Sequence, residues 1–179
     1  MFKLSNSAVV LLEELLRTRQ PQVFGSWFQD AVAVALGTLP EYADCYVNPG
    51  AGQPDILAGT TGFEVKTTST GTVNLEGNYQ AIRPQYPVFK LIGLRTDVSP
   101  FLLWVIEMPS DPPGSITFRA VMPQAAPVDG RLGPILARRL SAVLVAAGTS
   151  WISAQDRKEA SIVLKNVAAG MAWPDSPIP

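Results

Sequence analysis

Between Pro54 and Thr68 the chain reads PDILAGTTGFEVKTT, two strand-like runs split by the glycine-bounded turn Gly59 to Gly62. Such runs fold back on each other as a hairpin, and side chains alternate along each arm. On the second arm Glu64 and Lys66 therefore share one face, while Phe63, Val65 and Thr67 take the other. Asp55, with eight residues between it and Glu64, comes back alongside Glu64 when the turn closes. An acid, a second acid and an amine can thus converge on one point. They do so in a chain that is only 16% charged, against about 25% for an average domain.

Composition then narrows the chemistry. The chain has no histidine, which removes Ser-His-Asp and Cys-His hydrolases, His-ligated zinc enzymes, and nucleases that rely on a histidine base or a phosphohistidine. Cys45 is its one cysteine, so neither an intrachain disulfide nor a cysteine-built zinc site can form, in keeping with a reducing, cytoplasmic setting. What is left is carboxylate, lysine, arginine, tyrosine and hydroxyl chemistry. Two like carboxylates sharing a site repel unless a cation lies between them, and an all-oxygen set with open positions suits magnesium. With a lysine beside it, such a site is equipped for metal-assisted phosphodiester hydrolysis.

A hydrophobic content of 47% over 179 residues predicts one packed domain, residues 1–179, and sixteen prolines with fourteen glycines predict frequent turns. The apolar run Ala31 to Leu36 falls far short of the roughly 20 residues that span a bilayer. Glu13 and Glu14 interrupt the N-terminal apolar run, so no membrane span and no signal peptide are expected. A net charge of −1 offers nucleic acid no global attraction and leaves local patches to do the work. Nine arginines against five lysines lean toward bidentate recognition of phosphate or base edges.

Ser5 or Ser7 caps an expected first helix to about Thr18, closed by Arg19 and Pro21. Residues 1–20 serve dimerisation or the chain's own core. A second, largely apolar helix is expected from about Ser26 to Leu36, ending at Gly37. ADCYVNP, PDILAG and GFEVKTT read as strands, residues 69–79 as a loop, and VFKLIGLR and PFLLWVIEM as two longer strands. SITFRAV, after the turn Asp111 to Gly114, is a further strand candidate, and LGPILARRLSAVLVAAG a helix. WISAQDRKEASIVLKNV fits either two strands or a last helix, and residues 172–179 read as a tail. The expected fold is α/β, with a mixed sheet of about five strands flanked by helices.

Pro54-Asp55 followed by Glu64-Val65-Lys66 on a hairpin resembles the PD-(D/E)xK nuclease superfamily, most strongly over residues 27–109. The resemblance implies a restriction-endonuclease-like fold, with Asp55 and Glu64 binding Mg2+, the Val65 backbone carbonyl adding a ligand, and Lys66 serving catalysis. Members often place an acidic or glutamine residue of the preceding helix at the metal, which points to Gln29 or Asp30. The short spacing and the polar loop after Lys66 look most like small type II restriction endonucleases. That implies a homodimer cutting double-stranded DNA, with a cognate DNA methyltransferase as its genetic partner. Asn74, Asn78, Gln80, Arg83 and Gln85 form the expected DNA-facing group, since Asn, Gln and Arg can pair bidentately with base edges. The rival readings are a structure-selective nuclease of the same superfamily and a noncatalytic DNA-binding module. Arg138 or Arg139 touches phosphate or lies on a solvated face. Glu107 fits a strand-end salt bridge as well as catalysis, while Trp104, Trp151 and Cys45 read as core.

Overall fold

The apolar runs around Leu91 and Val105 form the middle of the sheet. The computed structural model describes residues 1–50, 52–75, 81–110, 114–117 and 128–173. In it β6 (Val88–Arg95) pairs antiparallel with β7 (Leu102–Glu107), Leu91 lying opposite Ile106. On its other side β6 runs parallel to β4 (Thr61–Thr68), Glu64 lying level with Leu91. Then follow β3 (Ile56–Ala58) and β2 (Tyr46–Val47), both antiparallel, while β1 (Phe2–Lys3) pairs with β7 at the far edge. The order is β1-β7-β6-β4-β3-β2.

This is an α/β architecture with a mixed six-stranded sheet, where about five strands were expected. The additional strand, β1, has two residues, too few for alternation to reveal it. A second difference lies between β4 and β6. Residues expected to be loop contain β5 (Thr72–Asn74), which pairs with β8 (Ser115–Thr117) in a separate two-stranded ribbon, so β8 does not extend the main sheet. The turn residues Asp111, Pro112 and Pro113, and residues 174–179 of the expected tail, lie outside the described residues.

The helices follow from their caps. Ser5 Oγ accepts the Ala8 N–H at 3.2 Å and opens α1 (Asn6–Thr18). α2 (Pro21–Gly37) begins at Pro21 rather than near Ser26. Proline at the first helical position needs no N–H partner, so the residue that closes α1 also starts α2. α3 (Leu132–Ala147) stops at Gly148, whose φ of +55° suits glycine. The last stretch is helical: a short α4 (Thr149–Ile152), then α5 (Arg157–Gly170). Asp156 accepts the Glu159 N–H at 2.8 Å, while Glu159 accepts the Gln155 N–H, a reciprocal cap that a strand reading overlooks.

Helices flank the sheet as expected, with α1, α2 and α3 packing on one of its faces. Leu12 and Leu15 of α1, Phe24 and Phe28 of α2, and Leu140 and Val143 of α3 meet Phe63, Val65, Ile92 and Val105 there. The opposite face buries Phe89, Leu91, Trp104 and Ile106 under Val73 of β5 and Ile116 of β8. Both faces being covered, β6 and β7 are apolar almost throughout. Trp104 and Trp151 are core residues, as expected. No helix among the described residues is long and apolar enough to cross a membrane.

Candidate functional site

The β3–β4 hairpin closes as expected, through the two-residue loop Gly59-Thr60 with Ala58 opposite Thr61. Gly59 takes φ +57° while Thr60 stays at negative φ, the combination of a type II′ turn. At its open end β3 leaves the ladder. Buried Pro54 folds across β4, and a methyl group on Gly62 would sit 3.0 Å from both the Pro54 ring and Phe89. A glycine at 62 is what lets the chain cross here. Asp55 Oδ2 then accepts the Val65 N–H at 2.8 Å, in the place of a ladder carbonyl. In a strand the N–H and C=O of one residue leave toward the same edge, so the Val65 carbonyl also faces the Asp55 side.

Asp55, Glu64 and Lys66 are brought together. Lys66 Nζ forms an ion pair with Glu64 and lies 3.9 Å from Asp55 Oδ2. Glu64 is the most enclosed, its side chain 13% exposed against 25% for Asp55 and 38% for Lys66. Burial pushes the Glu64 carboxyl above its ordinary value; the Lys66 charge opposes this, and the Asp55 charge reinforces it. Burial alone would pull Lys66 down, yet the charges of Glu64 and Asp55 and the hydrogen bond to Glu64 outweigh it and hold the amine above its ordinary value. Lys66 is therefore a built-in counterion between two acids.

Among the described residues no group of three or more His, Cys, Asp or Glu side chains gathers around a common point. A cation at this site would draw two carboxylates, the Val65 carbonyl and otherwise solvent or substrate. That donor set fits magnesium, a hard ion that keeps several waters and uses one or two carboxylates. It does not fit a zinc or thiophilic site.

The neighbouring residues divide into those that support the site and those drawn elsewhere. Gln29 Nε2 donates to the Asp55 backbone carbonyl at 3.4 Å, which places α2 against the site. Asp30 is engaged by another partner: buried, it receives Arg157 through two bonds of 2.8 and 2.9 Å and ties α2 to α5. Arg83 is a correction to the expected DNA-facing group. Its buried guanidinium donates to the carbonyls of Tyr86, Met108 and Pro109, so it holds the ribbon side of the core and is not presented to a ligand. Asn74 and Gln85 are exposed, Gln85 donating to the Ala81 carbonyl, and Asn78 and Gln80 lie outside the described residues.

Glu107 forms the strand-end salt bridge, 3.2 Å from Lys90. Arg139 is buried against the Thr38 carbonyl and the Trp173 ring, leaving Arg138 the exposed member of the pair. Cys45 is only partly buried; its thiol donates to the Ala33 carbonyl at 3.1 Å, and burial pushes its pKa up to about 11.

One feature of the site was missed in the sequence. A cleft of about 880 Å³ opens at Asp55 and Gln29, walled by α5 with Arg157, Lys158 and Lys165 and by the loop Asn48–Gly50. The spacing Lys158-x-x-Ser161-x-x-x-Lys165 would have marked one helical face, had the segment been read as helix alone. No family model, curated protein or solved structure matches the chain.

Proposed function

We propose that this chain is a magnesium-dependent endonuclease of the PD-(D/E)xK kind, with a restriction-endonuclease-like fold, hydrolysing phosphodiester bonds of double-stranded DNA at a specific sequence. The observation that carries this reading is the meeting of Asp55, Glu64 and Lys66 where β3 leaves its ladder, with Gln29 of α2 behind them.

Asp55 and Glu64, with the Val65 carbonyl, would hold the ion. Bound there, magnesium supplies Lewis acidity toward the scissile phosphate. Lys66, as an ammonium, attracts a non-bridging phosphate oxygen and offsets the charge that grows on it in the transition state. With a cation bound beside Glu64, part of what holds the Lys66 pKa up would be lost, and Nζ in its neutral form would take the proton of the attacking water in place of its role as an ammonium. Gln29, bonded to the Asp55 carbonyl, fixes the backbone from which that carboxylate projects. Cutting both strands of a palindromic site requires two copies, so the working form is a homodimer.

A structure-selective nuclease with the same site is the second reading. It gains from the interior placement of Arg83, which removes one expected base reader, and from the lysine-bearing cleft wall, which suits phosphate rather than base contacts. Incubating the purified protein with magnesium and linear duplex DNA, beside flap and four-way-junction substrates, separates the two. Discrete duplex fragments that vanish with EDTA support site-specific cutting, and cleavage confined to branched substrates supports the second reading. No cleavage of any substrate overturns both, leaving the hairpin as part of a noncatalytic module.

A further inference from the structure

The cleft beside Asp55 has an uneven distribution of charge. Arg17, Lys66, Lys90, Arg95 and Arg157 each form an ion pair with an acid. Lys158 and Lys165 are exposed, form no ion pair among the described residues, and both line this cleft. They lie seven residues apart on α5, with Ser161 and Ile162 between them on the same face. The orientation of that face is secured by Arg157, whose bidentate bond to buried Asp30 anchors the first turn of α5 to α2.

We propose that the α5 wall is the track for the phosphate backbone of the DNA strand being cut, with Lys158 and Lys165 as its phosphate contacts. This rests on the nuclease reading of Asp55, Glu64 and Lys66. Seven residues at 1.5 Å each separate the two lysines by about 10.5 Å along the helix, well beyond the roughly 3.4 Å of duplex axis that each phosphate of one strand occupies, so the two can contact different phosphates. Asp55 lines the same cleft, so a strand held by α5 is led to that residue. A protein of net charge −1 has no general attraction for DNA and needs such a local contact surface.

The test measures binding of a 20-base-pair duplex by fluorescence anisotropy across a salt series, with calcium replacing magnesium so that nothing is cut. Lys158→Gln/Lys165→Gln is compared with the parent chain and with Lys3→Gln/Arg131→Gln, which removes the same charge from two exposed positions that do not line the cleft. Two lost phosphate contacts should reduce the slope of log K against log salt by about 1.8, and the control pair should leave it unchanged. An unchanged slope in the cleft variant, or an equal fall in the control, overturns the proposal. If that happens while the parent still cuts DNA, the track is wrong and the nuclease reading stands. If the parent neither binds nor cuts DNA, both are wrong.

Discussion

Asp55 performs two tasks that a substitution can separate. One oxygen accepts the Val65 N–H and so completes the ladder, and the negative charge faces Lys66. Asp55→Asn keeps an acceptor for that N–H but loses the charge. Its stability should stay within about 1 kcal/mol of the parent by urea denaturation, while magnesium-dependent cutting falls at least a hundredfold. Lys90 shows the same residue types serving structure instead. Its buried ammonium meets Asp129 and Glu107, and Asp129 also accepts the N–H groups of Arg131 and Leu132 at the start of α3.

Burial tends to raise the Asp129 pKa, but the hydrogen bond from Lys90, the backbone N–H bonds and the Lys90 charge outweigh it and hold the carboxyl below its ordinary 3.8. A folded-state value below the unfolded one stabilises the fold above that pH, and the gain is lost as pH falls through the folded value. Asp129→Asn should therefore cost about 3 kcal/mol at pH 7 by leaving Lys90 underpaired. Acid titration of the variant should also show a shallower loss of stability below about pH 4.

At the scale of elements, the hairpin and the last helix carry the site. Gly62 lets Pro54 and Phe89 close over β4, and Phe89 is fully buried and has nowhere to go. Gly62→Ala should lower stability by about 1–2 kcal/mol and reduce cutting by more than that loss explains, because Pro54 drags Asp55 with it. Denaturation and cleavage of one preparation check both parts. For α5, removing the Asp156 cap with Asp156→Ala should cost about 1 kcal/mol and speed amide exchange in its first turn, where Arg157 and Lys158 sit.

The hairpin was legible in advance because its turn glycines and alternating faces are local signals. α5 was not, since WISAQDRKEASIVLKNV carries apolar residues at spacings that suit either period, and only the Asp156-x-x-Glu159 cap tips the balance. β5 and β1 escaped for a simpler reason: runs of three and two residues are too short to show alternation, and their pairing is decided by distant strands. Arg83 was misplaced because a guanidinium bonded to interior carbonyls looks, in a sequence, like any other arginine beside a polar loop.

Across the whole molecule, the two sheet faces divide the labour. Helices bury one face, the β5–β8 ribbon covers part of the other, and the charged group lies at the edge where β3 departs. The cores were readable from hydrophobic runs. The joining of α2, the hairpin and α5 around one cleft was not, because the Asp30–Arg157 tie links residues far apart in the chain.

The most direct test of the account is the rate of magnesium-dependent DNA cleavage by the parent, Asp55→Ala and Lys66→Ala, with calcium-supported DNA binding measured on the same preparations. The account predicts cutting by the parent, a loss of at least about a hundredfold in each variant, and binding largely retained in both. Cutting at the parental rate by either variant would contradict it.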